Sequence, residues 1–394
     1  MQQANDLISS FAYAGETEFG EMKGEHNMRK TFDYKKHLSC SCILFCLSLG
    51  VFGWVETAWG AQPPNEAELR KQPNAKSELN LKAIPFKIIY ETFRETDGRE
   101  NWELYLINAD GSNATNLTRT PDVDEMYPHV SLDGTKICFV TDERTGEKID
   151  LTLRTIYKVR SIYYMNIDGT GRVKVADHAR QPCWSPDGKR IAYLKAEYER
   201  YTTQDYGTTG VFFYDIATGR HEQHPNKDLH HLYNICWPAD SKWFVGTVHG
   251  GMGFGHTIIA FEAHGTAVFD LTKYGIKGCR QDLSSDGMKI TWGQTDSELC
   301  VADIDLTLPL LPRVADVRSV IKCRERYYVS HTDFSPDGRY IAFGYGPWAE
   351  YSVGSKTPGW NICVSDLTGK WVQITTDGNH NKEPDWVPIR TLSR

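Results

Sequence analysis

The sequence predicts an all-β fold, a six-bladed β-propeller of four-stranded blades that is closed by pairing of its N- and C-terminal strands. The first observation is a recurring motif. Ser185-Pro186-Asp187-Gly188 returns as Ser335-Pro336-Asp337-Gly338, each time after a large apolar residue and before Ile-Ala-aromatic. The positions equivalent to Ser185 are 131, 185, 238, 284, 335 and 387, which are 46 to 54 residues apart. A period near fifty, built from strands and tight turns, is typical of a β-propeller.

The second observation is that each unit divides into four short strands. In the second unit an inner strand ends at Val130, the Asp133-Gly134 pair turns the chain, and three further strands follow at 137–140, 162–167 and 173–175. Asp-Gly between β-branched and aromatic runs indicates a hairpin, because glycine adopts the positive φ that primed turns require.

The third observation concerns the two ends of the repeat region. Segment 87–90 has the pattern of a second strand with no inner strand before it, and segment 383–387 has the pattern of an inner strand with no second strand after it. We therefore expect residues 382–388 to pair with residues 86–90 and to complete the first blade from both termini. Closure of this kind removes exposed sheet edges.

On these residues the chain resembles the TolB-type six-bladed propellers, a WD40-like repeat family. The likeness is carried by Trp-Ser-Pro-Asp-Gly-Lys-Arg-Ile-Ala-Tyr at 184–193 and extends over residues 86–388. Relatives of this repeat include periplasmic scaffold proteins, propeller domains of serine peptidases, and lyases of pectic sugars. TolB itself carries an α/β domain before its propeller, whereas about 24 residues (62–85) precede the propeller here. The resemblance therefore implies the fold more strongly than a role in the Tol–Pal system.

A leader precedes the propeller. Basic residues between 29 and 36 come before an apolar run at 38–55, and Ala58-Trp59-Gly60-Ala61 follows it. This order predicts a signal peptide that is cleaved after Gly60, since small residues occupy the −3 and −1 positions. The alternative is a single membrane anchor, which the serines and glycines of the apolar run disfavour. Residues 1–27 are polar and charged, so we expect translation to begin at Met28.

The predicted organisation is an N-terminal extension with a signal peptide (1–60), a linker (61–85), the six-bladed propeller (86–388) and a short tail (389–394). The formal net charge is −7 and no stripe of lysine or arginine is present, which argues against a nucleic-acid partner. The seven cysteines after the leader are odd in number and lack Cys-x-x-Cys spacing. They therefore indicate neither a disulfide framework nor a zinc site. We expect a periplasmic or secreted monomer that is not inserted in the membrane after cleavage.

The inner strand of every blade lines the channel of a propeller, and side chains alternate with period two along a strand. Aligning the six units therefore predicts two rings of side chains that face the axis. The lower ring consists of His129, Cys183, Cys236, Asp282, Asp333 and Asp385. The upper ring consists of Tyr127, Gln181, Asn234, Arg280, His331 and Glu383.

The two rings suggest different chemistry. Asp282, Asp333 and Asp385, with His129, are candidate ligands for a divalent cation such as calcium or manganese, although a channel that holds only water has the same composition. In the upper ring Arg280, His331 and Glu383 combine a fixed cation, an imidazole and a carboxylate, and they are the candidate catalytic residues. The candidate ligand-binding set contains the whole upper ring together with His380.

Two functions of different class remain. The first is an exported, TolB-like, non-catalytic binding or scaffold protein that takes an envelope protein or a glycan on its loop-rich face, at the mouth of the channel. Long loops with aromatic residues at 198–206 and 348–360 favour binding there. The alternative is a secreted carbohydrate-active enzyme that resembles an oligogalacturonate-type lyase and uses the Arg280, His331 and Glu383 region. No catalytic motif of known spacing supports the enzyme, and Gly-x-Ser-x-Gly is absent from the sequence.

Export is directly testable at the N-terminus. Because Ala58 and Gly60 match the cleavage preference of signal peptidase, mass spectrometry of the mature protein is expected to place its first residue at or near Ala61. Recovery of a membrane-bound product that retains residues 38–55 would contradict this prediction.

Overall fold

A computed structural model of the protein describes residues 79–150, 155–196, 207–238, 242–307, 311–348 and 357–388. All of them belong to one compact unit, Lys71–Arg394. The leader, its cleavage site, most of the linker and the tail lie outside the described residues. Within the described ranges no helix is long and apolar enough to cross a bilayer.

Six four-stranded antiparallel sheets form the propeller, which confirms the predicted fold class. Blade 1 holds β1 (Lys87–Thr96), β2 (Arg99–Asn108) and β3 (Thr115–Asn116), and blade 2 holds β4 (Val123–Val130), β5 (Lys136–Asp150), β6 (Thr155–Asn166) and β7 (Val173–Asp177). Blade 3 holds β8 (Ala179–Trp184), β9 (Arg190–Ala196), β10 (Thr208–Asp215) and β11 (His221–Gln223), and blade 4 holds β12 (Leu232–Cys236), β13 (Trp243–His249), β14 (His256–Glu262) and β15 (Val268–Asp270). Blade 5 holds β16 (Cys279–Leu283), β17 (Lys289–Thr295), β18 (Glu298–Asp305) and β19 (Arg313–Lys322), and blade 6 holds β20 (Tyr327–Phe334), β21 (Tyr340–Pro347), β22 (Asn361–Asp366) and β23 (Trp371–Gln373). The last strand, β24 (His380–Val387), returns to blade 1 as its inner strand.

The repeated motif forms the turn between the first and second strands of a blade. In blade 3 the Ser185 hydroxyl donates to Asp187 Oδ1 at 2.7 Å and accepts from the Arg190 backbone N–H at 2.9 Å. Gly188 completes the turn with a φ of 68°. Residues other than glycine adopt this backbone conformation at a cost in free energy. The same contacts recur at Ser284 and Ser335. The motif recurs because each blade needs the same tight turn.

The hydrophobic core is divided among the spaces between neighbouring blades. Between blades 3 and 4, for example, Phe213, Trp237, Phe244 and Phe261 pack together, and the rings of Phe244 and Phe261 stack with centroids 5.1 Å apart. Because the middle strands are covered on both faces, apolar side chains predominate at their centres, as at residues 137–140. Among the described residues Cys138 is one of five buried free cysteines, as expected for cysteines that act as small apolar groups.

The ring closes where β24 pairs with β1. The register joins Lys87 to Val387 and Ile88 to Trp386, as predicted. It then continues beyond the predicted segment as far as the Phe93–His380 pair. Trp386 is buried in the core between blades 6 and 1. The terminal strands are therefore held by both main-chain pairing and apolar packing.

One prediction about the loops was wrong. From the sequence we expected a long loop between the second and third strands of blade 2 over residues 141–161, but β5 and β6 continue their pairing out to Asp150 and Thr155. The described part of this segment is therefore paired strand. Strand pairing satisfies the backbone groups of a long excursion, whereas an irregular loop would leave them to water.

Removing residues 380–394 is expected to destabilise the whole ring. The deletion takes away β24, so β1 becomes an exposed edge and the core between blades 6 and 1 loses Trp386. Thermal unfolding monitored by circular dichroism is expected to show a midpoint lower by well over 5 °C, or no cooperative transition. A midpoint within a degree or two of the full-length value would mean that the closing pairs contribute little.

Candidate binding site in the axial channel

Every inner strand carries a β-bulge at the level of the upper ring. The pairing register of all six inner strands shifts at this point. The residues with a left-handed backbone there are Tyr127, Gln181, Asn234, Arg280, His331 and Glu383, with φ between 43° and 54°. The simple alternation used to predict two rings is therefore wrong at this level, because the extra residue of a bulge breaks the period of two.

The channel contains two cavities that meet at the lower ring. The loop-side mouth, at the N-terminal ends of the inner strands, opens into a cavity of about 80 Å³. The turn-side mouth, at the Asp-Gly turns, opens into a cavity of about 100 Å³. The residues that line both cavities are His129, Cys236, Asp282, Asp333 and Asp385. Five of the six lower-ring residues thus line the channel, whereas Cys183 lines neither cavity and packs in the core between blades 3 and 4.

The lower-ring side chains link neighbouring blades. Asp282 accepts a hydrogen bond from the Phe334 backbone N–H at 2.9 Å, and Asp333 accepts one from Trp386 at 3.0 Å. The same bond joins Asp385 to Val130 at 3.3 Å, and His129 Nδ1 to Trp184 at 3.4 Å. In each case a side chain of one blade receives the N–H of the residue just before the turn in the next blade. These residues therefore have a structural role whether or not the channel holds a ligand.

Burial dominates the titration of this ring. It raises the pKa of Asp282 to about 7. Burial also raises the pKa of Asp333 well above its usual range, and the neighbouring Asp385 and Asp282 carboxyls raise it further. The pKa of Asp385 is raised by burial and by Asp282. Burial lowers the pKa of His129 to about 4, so its imidazole is neutral at pH 7.

Metal binding stays a prediction for these four residues. Searching the described residues finds no group of three or more histidine, cysteine, aspartate or glutamate side chains arranged to hold a metal ion. The three carboxyls and His129 each accept a hydrogen bond from a backbone N–H of the next blade. Oxygen ligands remain on the axis, which is the donor type that calcium prefers.

The upper ring only partly converges on the axis. Tyr127, Gln181, Asn234, His331 and Glu383 line the loop-side cavity. His331 Nε2 lies 2.5 Å from Glu383 Oε1, and both side chains are largely buried. Gln181 Oε1 accepts a hydrogen bond from the backbone N–H of Asn234. These groups therefore bind one another across blade boundaries.

Arg280 is connected to the other two candidate catalytic residues through a serine. Its guanidinium Nη1 donates to Ser330 Oγ at 2.5 Å, and the same oxygen lies 3.5 Å from His331 Nε2. Arg280 is not among the residues that line the cavity, whereas His331 and Glu383 are. The sequence predicts all three at one mouth, and the structure links them in a chain of contacts in which only the last two line the cavity.

His380 lies away from the channel cavity. Its side chain is buried, its ring packs against Trp102 at 4.9 Å and Trp360 at 6.0 Å, and its Nδ1 accepts the Thr357 backbone N–H at 3.0 Å. Trp360, which belongs to an aromatic loop expected to face a ligand, is buried too. Both residues fasten the loop before β22 to the closing strand.

An ion pair beside the upper ring was missed in the sequence. Lys382 Nζ lies 3.0 Å from Glu91 Oε1, and both side chains are buried. Glu91 Oε2 also accepts the Tyr127 backbone N–H at 2.6 Å. Burial raises the pKa of Glu91 to about 7, although Lys382 opposes this. The available signal was a charged residue directly after the apolar run 88–90, opposite a lysine in the predicted closing strand.

Comparisons with known proteins identify the fold. No family model matches the chain, and no curated protein sequence matches it. The solved structure of TolB from Acinetobacter baumannii is similar over 77% of this chain and 67% of that chain, with a TM-score of 0.55 and 19% identity. Hydrazine synthase from Kuenenia stuttgartiensis matches over 77% of this chain and 46% of that chain, with a TM-score of 0.52 and 11% identity.

A chain of the nidogen/laminin complex also matches, over 77% of this chain and 98% of that chain, with a TM-score of 0.50 and 9% identity. The chain thus has the six-bladed propeller fold of TolB. At these identities the likeness concerns the fold, which is shared by an enzyme and by a protein that assembles with another protein.

The lower ring predicts a specific dependence of stability on pH. Carboxyls whose pKa is raised on folding contribute stability below their unfolded pKa of about 4, and this contribution is lost as pH rises through the folded pKa. Asn at position 333 cannot ionise but can still accept the Trp386 N–H. Relative to wild type, Asp333→Asn is therefore expected to become progressively more stable between pH 5.5 and pH 8.5 in thermal melts.

Asp337→Asn is the matched control for that series. Asp337 lies in the turn of the same blade, where hydrogen bonds from Ser335 and Arg339 outweigh burial and lower its pKa. It is ionised throughout the range, so the difference between control and wild type is expected to stay constant. A constant difference for Asp333→Asn as well would contradict the raised pKa values of the ring.

Proposed function

We propose that the chain is an exported, non-catalytic TolB-like propeller whose loop-side mouth binds a segment of an envelope protein. The observation that carries this proposal is the arrangement of the upper ring. Its polar side chains are bound to neighbouring blades, and its arginine binds the Ser330 hydroxyl and is not among the residues that line the loop-side cavity. The proposal includes export because basic, apolar and small residues follow one another in the leader in the order of a signal peptide.

The position of Arg280 outside the lining of the loop-side cavity weakens the case for a lyase. An enzyme that neutralises an acidic sugar and moves a proton needs its cation and its acid–base groups around one bound substrate. Here His331 and Glu383 share the loop-side cavity, while Arg280 is bound to Ser330. The lyase stays the alternative prediction from the sequence.

The size of the cavity favours a protein ligand over a glycan. Small-molecule sites usually have volumes of roughly 300–1,000 Å³, whereas the loop-side cavity holds about 80 Å³. At about 10–15 Å³ per water, that space accommodates only a handful of water molecules. A single side chain at the tip of a protein segment fits such a space better than a sugar ring does.

The surroundings of the mouth suit a protein interface. The loop 250–255 of blade 4 is held by His230, whose Nδ1–H donates to Asp228 O at 2.7 Å and whose Nε2 accepts the Met252 N–H at 3.1 Å. Trp348 is 61% exposed, and tryptophan is a frequent hot-spot residue of protein interfaces. A prearranged surface of this kind lowers the entropic cost of binding a partner.

The proposal is tested by blocking the loop-side mouth. Asn234→Arg introduces a long cation there, and Arg280 shows that arginine is compatible with the same left-handed backbone. Purified mature protein is screened on arrays of envelope-protein peptides and of glycans. Peptides that bind the wild type are expected to bind Asn234→Arg at least about tenfold more weakly, since an unpaired charge is forced into the contact.

Met288→Arg provides the control, because it adds the same side chain at an exposed position on the turn side, outside both cavities. It is expected to bind as the wild type does. Binding of glycans but not peptides, or turnover of acidic oligosaccharides that is lost in His331→Gln, would overturn the proposal in favour of the carbohydrate alternatives.

A further inference from the structure

The turn-side mouth has a composition unlike that of the loop side. One residue within two positions of the end of each inner strand lies at this mouth, and these six residues form what we call the collar. The collar consists of Leu132, Pro186, Pro238, Ser285, Pro336 and Pro388. Five of the six are apolar, and Leu132 is 47% exposed. Conformationally stiff prolines give this rim a defined shape.

Behind the collar the cavity has mixed walls and an acidic floor. Its wall residues include the aromatic side chains of Trp184, Trp237, Phe334 and Trp386 and the hydroxyls of Ser131, Ser185 and Ser284. The floor is formed by the lower ring, where Asp282, Asp333 and Asp385 converge. Collar and floor residues are two or three positions apart along the chain, which corresponds to a depth of about 7–10 Å. The cavity is therefore a short tube with an apolar rim, walls of aromatic rings and hydroxyls, and carboxyls at its end.

The charges in this tube are unbalanced. Among the described residues that line it, three are aspartates and none is a lysine or arginine. The cations of the turn face pair elsewhere: Lys289 with Asp303 at 2.5 Å and Arg339 with Asp337 at 2.6 Å. Burial and mutual proximity disfavour the ionised form of these three carboxyls, and an ammonium group delivered between them would stabilise that form by direct attraction.

We infer that the turn-side mouth is a second interaction surface, which binds a protein partner by taking in one lysine side chain. A lysine has an apolar four-carbon stem and a charged tip, so the stem matches the collar and the aromatic wall residues while the ammonium reaches the carboxyls. A hydrated metal ion makes no favourable contact with apolar side chains, so the collar would not contribute to its binding. This surface lies at the opposite end of the channel from the mouth in the proposed function and does not depend on it.

The experiment uses the fluorescently labelled peptide Ala-Ala-Lys-Ala-Ala as the probe and measures fluorescence anisotropy with the mature protein. A second peptide with norleucine in place of lysine keeps the apolar stem and removes the charge. The lysine peptide is expected to bind at least about tenfold more tightly than the norleucine peptide, since a charge-assisted contact in a desolvated site is lost. Asp333→Asn is expected to weaken the lysine peptide by a similar factor, whereas Asp337→Asn leaves it unchanged.

The collar is tested with a matched pair of variants. Leu132→Ser removes an apolar side chain of the collar, and Met288→Ser removes one of equal exposure (48%) that does not line the cavity. The first is expected to weaken the lysine peptide about threefold or more, and the second to have no effect. This pair and the norleucine comparison keep the test valid if Asp333→Asn fails to fold.

Several results would overturn the inference. These are no binding of the lysine peptide at millimolar concentration, equal binding of the two peptides, or equal losses in Leu132→Ser and Met288→Ser. An equal loss in Asp333→Asn and Asp337→Asn would indicate general surface electrostatics and would overturn it as well. None of these outcomes affects the loop-side mouth, which is tested with different variants and ligands.

Discussion

The structure depends on one long-range pairing, that of β24 with β1. Six blades pack side by side, and the apolar face of each is covered only if the ring has no gap. Closing it brings residues near 90 and near 385 into one sheet, and it buries Trp386 between the last blade and the first. The buried Lys382–Glu91 pair lies in the same seam, where removing either partner would leave an unpaired buried charge.

Closure also shapes the channel, because six inner strands that meet around one axis bring polar groups close together. These polar groups are accommodated because they form hydrogen bonds and ion pairs between blades. Lower-ring side chains receive backbone N–H groups of the next blade, and the upper ring is joined by His331–Glu383 and Gln181–Asn234. Residues that the aligned repeats suggest as catalytic candidates are thereby part of the structural framework. The channel itself contains two small cavities of different composition.

The difference between the two mouths follows from the repeat itself. At the turn end, four units supply proline and a fifth supplies leucine, so an apolar collar forms around the axis. At the other end, every inner strand carries a bulge, and polar side chains line the cavity. A ring built from one repeated unit therefore presents two chemically distinct surfaces.

The repeat spacing, the Asp-Gly turns and the incomplete end units were sufficient to predict the blade number, the strand order and the closing pair, because these features are local or periodic. The bulges were not predictable, since of the six residues concerned only Asn234 and His331 belong to types that favour a left-handed backbone. The direction of Arg280 depends on Ser330 in the next blade, and the burial of His380 depends on Trp102 and Trp360, which are distant in the chain. The sequence determined the ring and the residues near its axis, whereas only the tertiary contacts between blades decided which of those residues face the channel and which bind one another.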